Sequence, residues 1–227
     1  MDFPVSIVKE KRKSLSIQFT QSGVFLIKAP YFLKQSFIND FLDEKKSWMS
    51  KTLDNFSAFS YLKTPNECVT DVELAYFGEK YSLSVFEKKS KEMPYFKDNR
   101  LCFFVDRLDE KESNIKKLIL WYRHLAKEIF EDRVYFFANL LGVEVKTVRI
   151  KELKSRWGSC STLGNINLNW KLIKAPFSVI DYVIAHECCH LLHMNHSYEF
   201  WDCVESVYPD YKKCKSWLNK YGHYMLF

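Results

Sequence analysis

Apolar and polar residues alternate position by position near the N-terminus, with Leu15, Ile17 and Phe19 set against Ser14, Ser16 and Gln18. A period of two marks half-buried β-structure and predicts two or three short strands over about 4–30, closed by Pro30. The period then lengthens. Phe37, Phe41, Trp48 and Leu53 follow helical spacing and predict a helix over about 33–53, and the irregular polar stretch over about 54–72 reads as a linker. Strand character returns over about 74–106, where Tyr76-Phe77-Gly78-Glu79-Lys80-Tyr81 suggests a hairpin and Leu101–Val105 a further strand. A long helix follows over about 113–141, with Leu118, Tyr122, Leu125 and Ile129 as its core stripe, His124 incidental, and Gly142 as its stop.

The last third is patterned differently. Val143–Ile150 reads as a strand, and Asn165-Ile166-Asn167-Leu168-Asn169-Trp170 alternates strictly after a turn at Gly164. That alternating strand is either a sheet edge able to take up an extended peptide or an ordinary half-buried hairpin strand. Between them, Ser155-Arg156-Trp157-Gly158-Ser159-Cys160 carries Arg156, a candidate clamp for a carbonyl or carboxylate. A second apolar helix then begins, with Ser178 as expected N-cap and Asp181 three residues on as a capping-box-like carboxylate. The whole order predicts an α+β protein, divided into a strand-rich region over 1–110 and a second region over 111–227 that holds the chemistry.

That chemistry is concentrated in His186-Glu187-Cys188-Cys189-His190-Leu191-Leu192-His193-Met194-Asn195-His196. His186 and His190 are four apart, so on a helix they project from one face and can share a tetrahedral Zn²⁺. Glu187 flanks them as a carboxylate able to move protons. The bland alternative, a core helix with incidental polar residues, would leave three polar side chains on an apolar helix without partners, at a cost of several kcal/mol. His196 is the candidate third ligand, provided the helix ends just after Leu192 or His193 and Asn195 takes the left-handed turn. Glu199, Asp202 or Glu205 are the other candidates for that place. His193 shares the face of the pair, but three histidines along one straight helix span about 10.5 Å, too far for one ion. Cys188 falls on the packing side, and Cys189 is expected at the edge of the site.

Composition narrows the setting. The chain of 227 residues, 47% apolar and 17% aromatic, has ample material for a core and no resemblance to a disordered segment. Seven cysteines, an odd number without a Cys-x-x-Cys, suggest reduced thiols and a cytoplasmic protein. The stretch beginning Met-Asp-Phe-Pro does not read as a secretory leader, and no apolar run is long enough for a membrane span. The net charge of +6 is mild. The clusters Lys9, Lys11, Arg12, Lys13 and Lys212, Lys213, Lys215 read as solvated surface in preference to a nucleic-acid patch.

Arg156-Trp157-Gly158-Ser159-Cys160, Asn167-Leu168-Asn169-Trp170, Ala175-Pro176, Asp181-Tyr182-Val183, the His186–His196 segment, Ser197, Phe200-Trp201 and Pro209-Asp210-Tyr211 together resemble the YgjP-like metallopeptidase family, related to the SprT-like group. Arg12-Lys13-Ser14-Leu15-Ser16 and Ala29-Pro30 extend the likeness to the N-terminus. The resemblance implies a zincin-like catalytic half, its active-site helix beneath a small mixed sheet with C-terminal helices. It also implies one Zn²⁺ on His186, His190 and His196, with Glu187 as catalytic base. The family's usual residue at 188 is Leu; Cys188 here lies on the packing side. Metzincins share the histidine spacing, but His193 stands where they carry glycine, which argues for a different turn. The expected activity is hydrolysis of a peptide or protein substrate by metal-activated water, with Arg156, His223 or Tyr224 to polarise the carbonyl. Two alternatives stay open. One is a zinc hydrolase of nucleotide phosphoanhydrides, weakened by the lack of a Gly-rich phosphate loop; the other is a DNA-associated, SprT-like protein, against which an intact Glu187 argues.

Overall fold

The computed structural model describes residues 3–20, 23–88 and 92–226. Residues 21–22 and 89–91, inside the predicted strand regions, lie outside them. The architecture is α+β, and the chain divides into two compact units, Met1–Ser60 and Tyr61–Phe227.

In the first unit, β1 (Val5–Glu10), β2 (Ser16–Phe19) and β3 (Phe25–Pro30) form a sheet in the order β1-β3-β2. β1 runs parallel to β3, and β2 antiparallel. Helix α1 (Gln35–Ala58) covers one face, continuing through the start of the expected linker. Its buried positions are Ile38 and Met49, whereas Phe37 and Trp48 are exposed. The helical period was legible, but its phase is set by the sheet: Ile38 seals against Ile27 and Ala29, with Leu33 and Leu42 beside them.

The second unit opens with a four-stranded sheet of order β4-β5-β7-β6, from β4 (Glu73–Tyr76), β5 (Glu79–Glu87), β6 (Tyr95–Lys97) and β7 (Arg100–Val105). The β4–β5 hairpin turns at Phe77 and Gly78, both with positive φ (51° and 81°), the geometry that matches strand twist in a two-residue loop. The turn grips the approach to the second apolar helix: Phe77 and Gly78 N–H groups donate to the Ile173 and Lys174 carbonyls. Helix α2 (Lys111–Leu141) ends at Gly142 in the left-handed conformation, as its sequence predicts. Leu118 and Tyr122 are buried as expected, but the stripe then runs through Ala126, Phe130, Val134 and Phe137, one position along from Leu125 and Ile129.

The site rests on a three-stranded sheet of order β8-β10-β9, from β8 (Thr147–Lys151), β9 (Gly158–Cys160) and β10 (Asn165–Asn169). β10 is parallel to β8 and antiparallel to β9. The alternating strand is therefore central, not an edge: Ile166 and Leu168 go into the core and Asn165 and Asn167 to the other face. The edge is β9. A 3₁₀ turn over Trp170–Lys174 leads into α3 (Phe177–Cys189), followed by α4 (Tyr198–Val207) and α5 (Tyr211–Met225). Within the turn, Lys171 and the fully buried Lys174 donate to the Leu226 and Met225 carbonyls at 2.9 and 3.1 Å, tying down the end of α5. Burial holds the Lys174 ammonium well below the ordinary lysine range.

Candidate metal centre

Helix α3 is apolar almost all round, and Val179, Ile180, Val183, Ile184, Ala185 and Cys188 are buried. Each large aliphatic side chain so buried contributes roughly 1.5–3 kcal/mol. Its start differs from the expected one. Pro176 occupies the N-cap, with its carbonyl taking the Val179 and Ile180 N–H groups, so Ser178 lies inside the helix. Asp181 does not cap. Its carboxylate accepts a fork from Arg133 on α2, Nε at 2.6 Å and Nη2 at 2.8 Å, which satisfies an acid buried between two helices.

The far end of α3 also differs. The helix stops at Cys189, with His190 as C-cap, and tightens into bonds from Leu191 and Leu192 N–H to the Cys188 and Cys189 carbonyls. Asn195 has no positive φ. The reversal is achieved without a left-handed residue, by this tightened turn and by His190, whose Nδ1 lies 3.0 Å from the His193 carbonyl.

The turn brings three imidazoles together. One ligand atom from each of His186, His190 and His196 lies within 4.8 Å of the others, a set that could hold a metal ion. The His186 and His196 Nε2 atoms are 3.2 Å apart. His193 enters through its backbone only. Glu199 accepts from Ser197 Oγ at 2.6 Å, Glu205 pairs with Lys212, and neither these two nor Asp202 belongs to the cluster.

Three observations test whether these residues suit a cation. The His190 Nδ1 bond to a carbonyl makes that nitrogen the donor and leaves Nε2 with its lone pair. Burial, with His190, His196 and Lys215 nearby, lowers the His186 pKa to about 3, so this imidazole is a neutral donor. Finally, all three donors are imidazole nitrogens, the ligand type that zinc and other transition metals take. The donor set fits.

Glu187 is buried beside this cluster, and burial raises its carboxyl to about 8, opposed by the charge of exposed Arg156. Gly158 of β9 makes the closeness possible: a Cβ there would stand 2.5 Å from Glu187 Oε1. No side chain fits between the edge strand and the carboxylate.

Phe200, Trp201 and Asn169, which the sequence pattern assigns no individual role, also shape the site. Phe200 stacks on His190 (4.4 Å between centroids, 26°) and meets His186 edge-on at 4.8 Å. Trp201 lies 5.7 Å from both His186 and His196, and stacks in turn on Tyr211. Two adjacent aromatics soon after His196, at the start of an amphipathic helix, were the available signal. Asn169 is fully buried; its Nδ2 donates to the Leu153 and Arg156 carbonyls at 2.8 and 3.3 Å, and its N–H to the Trp157 carbonyl. It fixes the loop that carries Arg156 and leads into β9. Cys188 packs toward the Val134 carbonyl, and Cys189 contacts Cys203 of α4.

A helical His-Glu-x-x-His joined by a third histidine from the following turn defines the class of metal-dependent hydrolases that act through an ion held on protein nitrogen. The YgjP-like metallopeptidase domain matches residues 13–221, and the chain belongs to that family. Membership implies a metal ion. The chain is also similar to the crystal structure of the metallopeptidase zymogen of Pyrococcus abyssi, abylysin, at 28% identity, covering 40% of this chain and 93% of that one, with a TM-score of 0.37. No curated protein matches. Among the described residues, no helix is long and apolar enough to cross a membrane.

Proposed function

We propose that the protein is a zinc-dependent peptidase in which His186, His190 and His196 hold the ion and Glu187 is the catalytic base. The observation that carries this reading is the convergence of three imidazole nitrogens within 4.8 Å beside a buried glutamate. The His186 and His196 Nε2 atoms, 3.2 Å apart, stand close enough to be held by one ion together with His190. An all-imidazole set suits zinc better than magnesium or calcium, which favour oxygen.

Bound zinc supplies a Lewis acid that acidifies water and polarises a carbonyl. The protein does the rest. The positive charge of a bound ion would hold the buried Glu187 carboxyl ionised, so that it would accept a proton from the attacking water and return it to the departing amine. The unpaired side of β9 offers backbone N–H and C=O groups to an extended peptide, next to Glu187 through Gly158. Arg156, at the entry to that strand, binds a substrate carbonyl or carboxylate. The substrate is accordingly a peptide or an unfolded segment. Seven free cysteines favour the reducing cytoplasm.

The test is metal analysis of the purified protein, followed by an assay of unstructured peptides beside nucleoside triphosphates. One zinc per chain with cleavage of peptides is expected. Hydrolysis of triphosphates alone, or a metal-free protein that cleaves peptides, would overturn the proposal.

A further inference from the structure

The Cys203 thiol donates to the Cys189 sulfur at 3.1 Å, a contact that hydrolysis does not use. Cys189 is the last residue of α3 and fully buried; Cys203 lies within α4 and is partly exposed. Cys188, one residue earlier, faces the other way toward α2. Two thiols on separate helices thus meet behind the metal-binding turn. The stretch between them, residues 190–202, includes His190, His193 and His196 together with Phe200 and Trp201, which pack on the imidazoles.

We propose that Cys189 and Cys203 form a redox pair, which a hydroperoxide converts into a disulfide that staples the turn carrying the histidines. The sulfurs must approach by only about 1 Å to reach the bonding distance of about 2.05 Å. The partly exposed Cys203 sulfur attacks a peroxide oxygen. The O–O bond breaks, a sulfenic acid forms, and water or an alcohol leaves. The Cys189 sulfur then attacks the Cys203 sulfur; an S–S bond forms, the S–O bond breaks, and the hydroxyl leaves with the Cys189 proton as water. The two thiols lose two electrons and the peroxide gains them. Closing residues 190–202 into a ring opposes the local opening through which His196 would leave an ion. This last consequence rests on the proposed zinc site; the disulfide itself does not.

The test treats the full chain, loaded with zinc, with hydrogen peroxide, alkylates the remaining thiols and maps peptides by mass spectrometry. A linked Cys189–Cys203 peptide pair, lighter by two hydrogens and released by dithiothreitol, is expected. Cys188→Ser should keep the link and Cys203→Ser should lose it. Stripping of zinc by EDTA should be several-fold slower in the oxidised protein. Free alkylation of both thiols after peroxide, or sulfinic acid without a link, would overturn the redox pair. A link with unchanged zinc loss would overturn the stapling. Protein that never binds zinc would defeat the zinc reading, while the peptide map would still decide the disulfide.

Discussion

His190 Nδ1 and the carbonyl oxygen of His193 are 3.0 Å apart, and this one contact joins the end of a helix to the orientation of an imidazole. It fixes the His190 tautomer and at the same time closes the turn that returns His196 to His186. His193 therefore acts through its backbone.

The consequence separates two neighbouring histidines. His196→Ala removes a proposed ligand and should weaken zinc affinity by more than the roughly 10–100-fold typical of losing an outer partner. His193→Ala keeps the carbonyl and should leave affinity within a few-fold of the parent. A competition titration with a chromogenic chelator measures both, and a reversed order would place His193, not His196, on the metal.

The site's legibility followed from where its information lies. The His186, Glu187 and His190 spacing is a property of one helix, and helical periodicity shows it directly. The turn was harder, because its geometry depends on hydrogen bonds of backbone carbonyls, which the residue pattern does not record. Asn195 looked like the left-handed hinge, yet the chain turns through bonds to the Cys188 and Cys189 carbonyls. Asp181 and Ser178 had the spacing of a cap, but a long-range partner, Arg133, claims the carboxylate. The same limit affected the sheet. Alternation identified β10 as a strand, while its central place depends on β8 and β9 pairing on either side.

The loop before β9 should be sensitive to Asn169. Asn169→Ala leaves the Leu153 and Arg156 carbonyls without their donor, at a cost of about 1–3 kcal/mol. Peptide turnover should fall while zinc stays bound, because the loop orients Arg156 and Gly158, not the histidines. Thermal unfolding, metal content and peptide kinetics distinguish this; zinc loss in step with activity would mean the defect is general unfolding.

Nucleic acid is the less favoured partner. Arg12 pairs with Glu10, Lys9 donates to the Leu33 carbonyl, and at the other cluster Lys212 pairs with Glu205 and Lys213 with Asp210. Replacing Lys9, Lys11, Arg12 and Lys13 with neutral residues should leave peptide turnover unchanged. A DNA affinity that falls steeply with salt, and disappears in that variant, would restore the binding-module alternative.

Glu187→Gln gives the sharpest separation of catalysis from structure. The amide is nearly isosteric, fits beside Gly158, and removes no imidazole, so fold and zinc content should be kept. It cannot accept a proton from water, and general-base catalysis is typically worth about 10²–10⁴-fold. Turnover of peptides should fall by about that factor, with metal content and thermal midpoint close to the parent. The comparison with Gly158→Ala adds direction. There the carboxylate remains, but a methyl group would stand 2.5 Å from its oxygen, so the edge strand or the side chain must move. Turnover should drop in both variants, with the stability cost confined to Gly158→Ala. Full activity in Glu187→Gln with zinc bound would assign the proton transfer to another group and leave the ion a structural role.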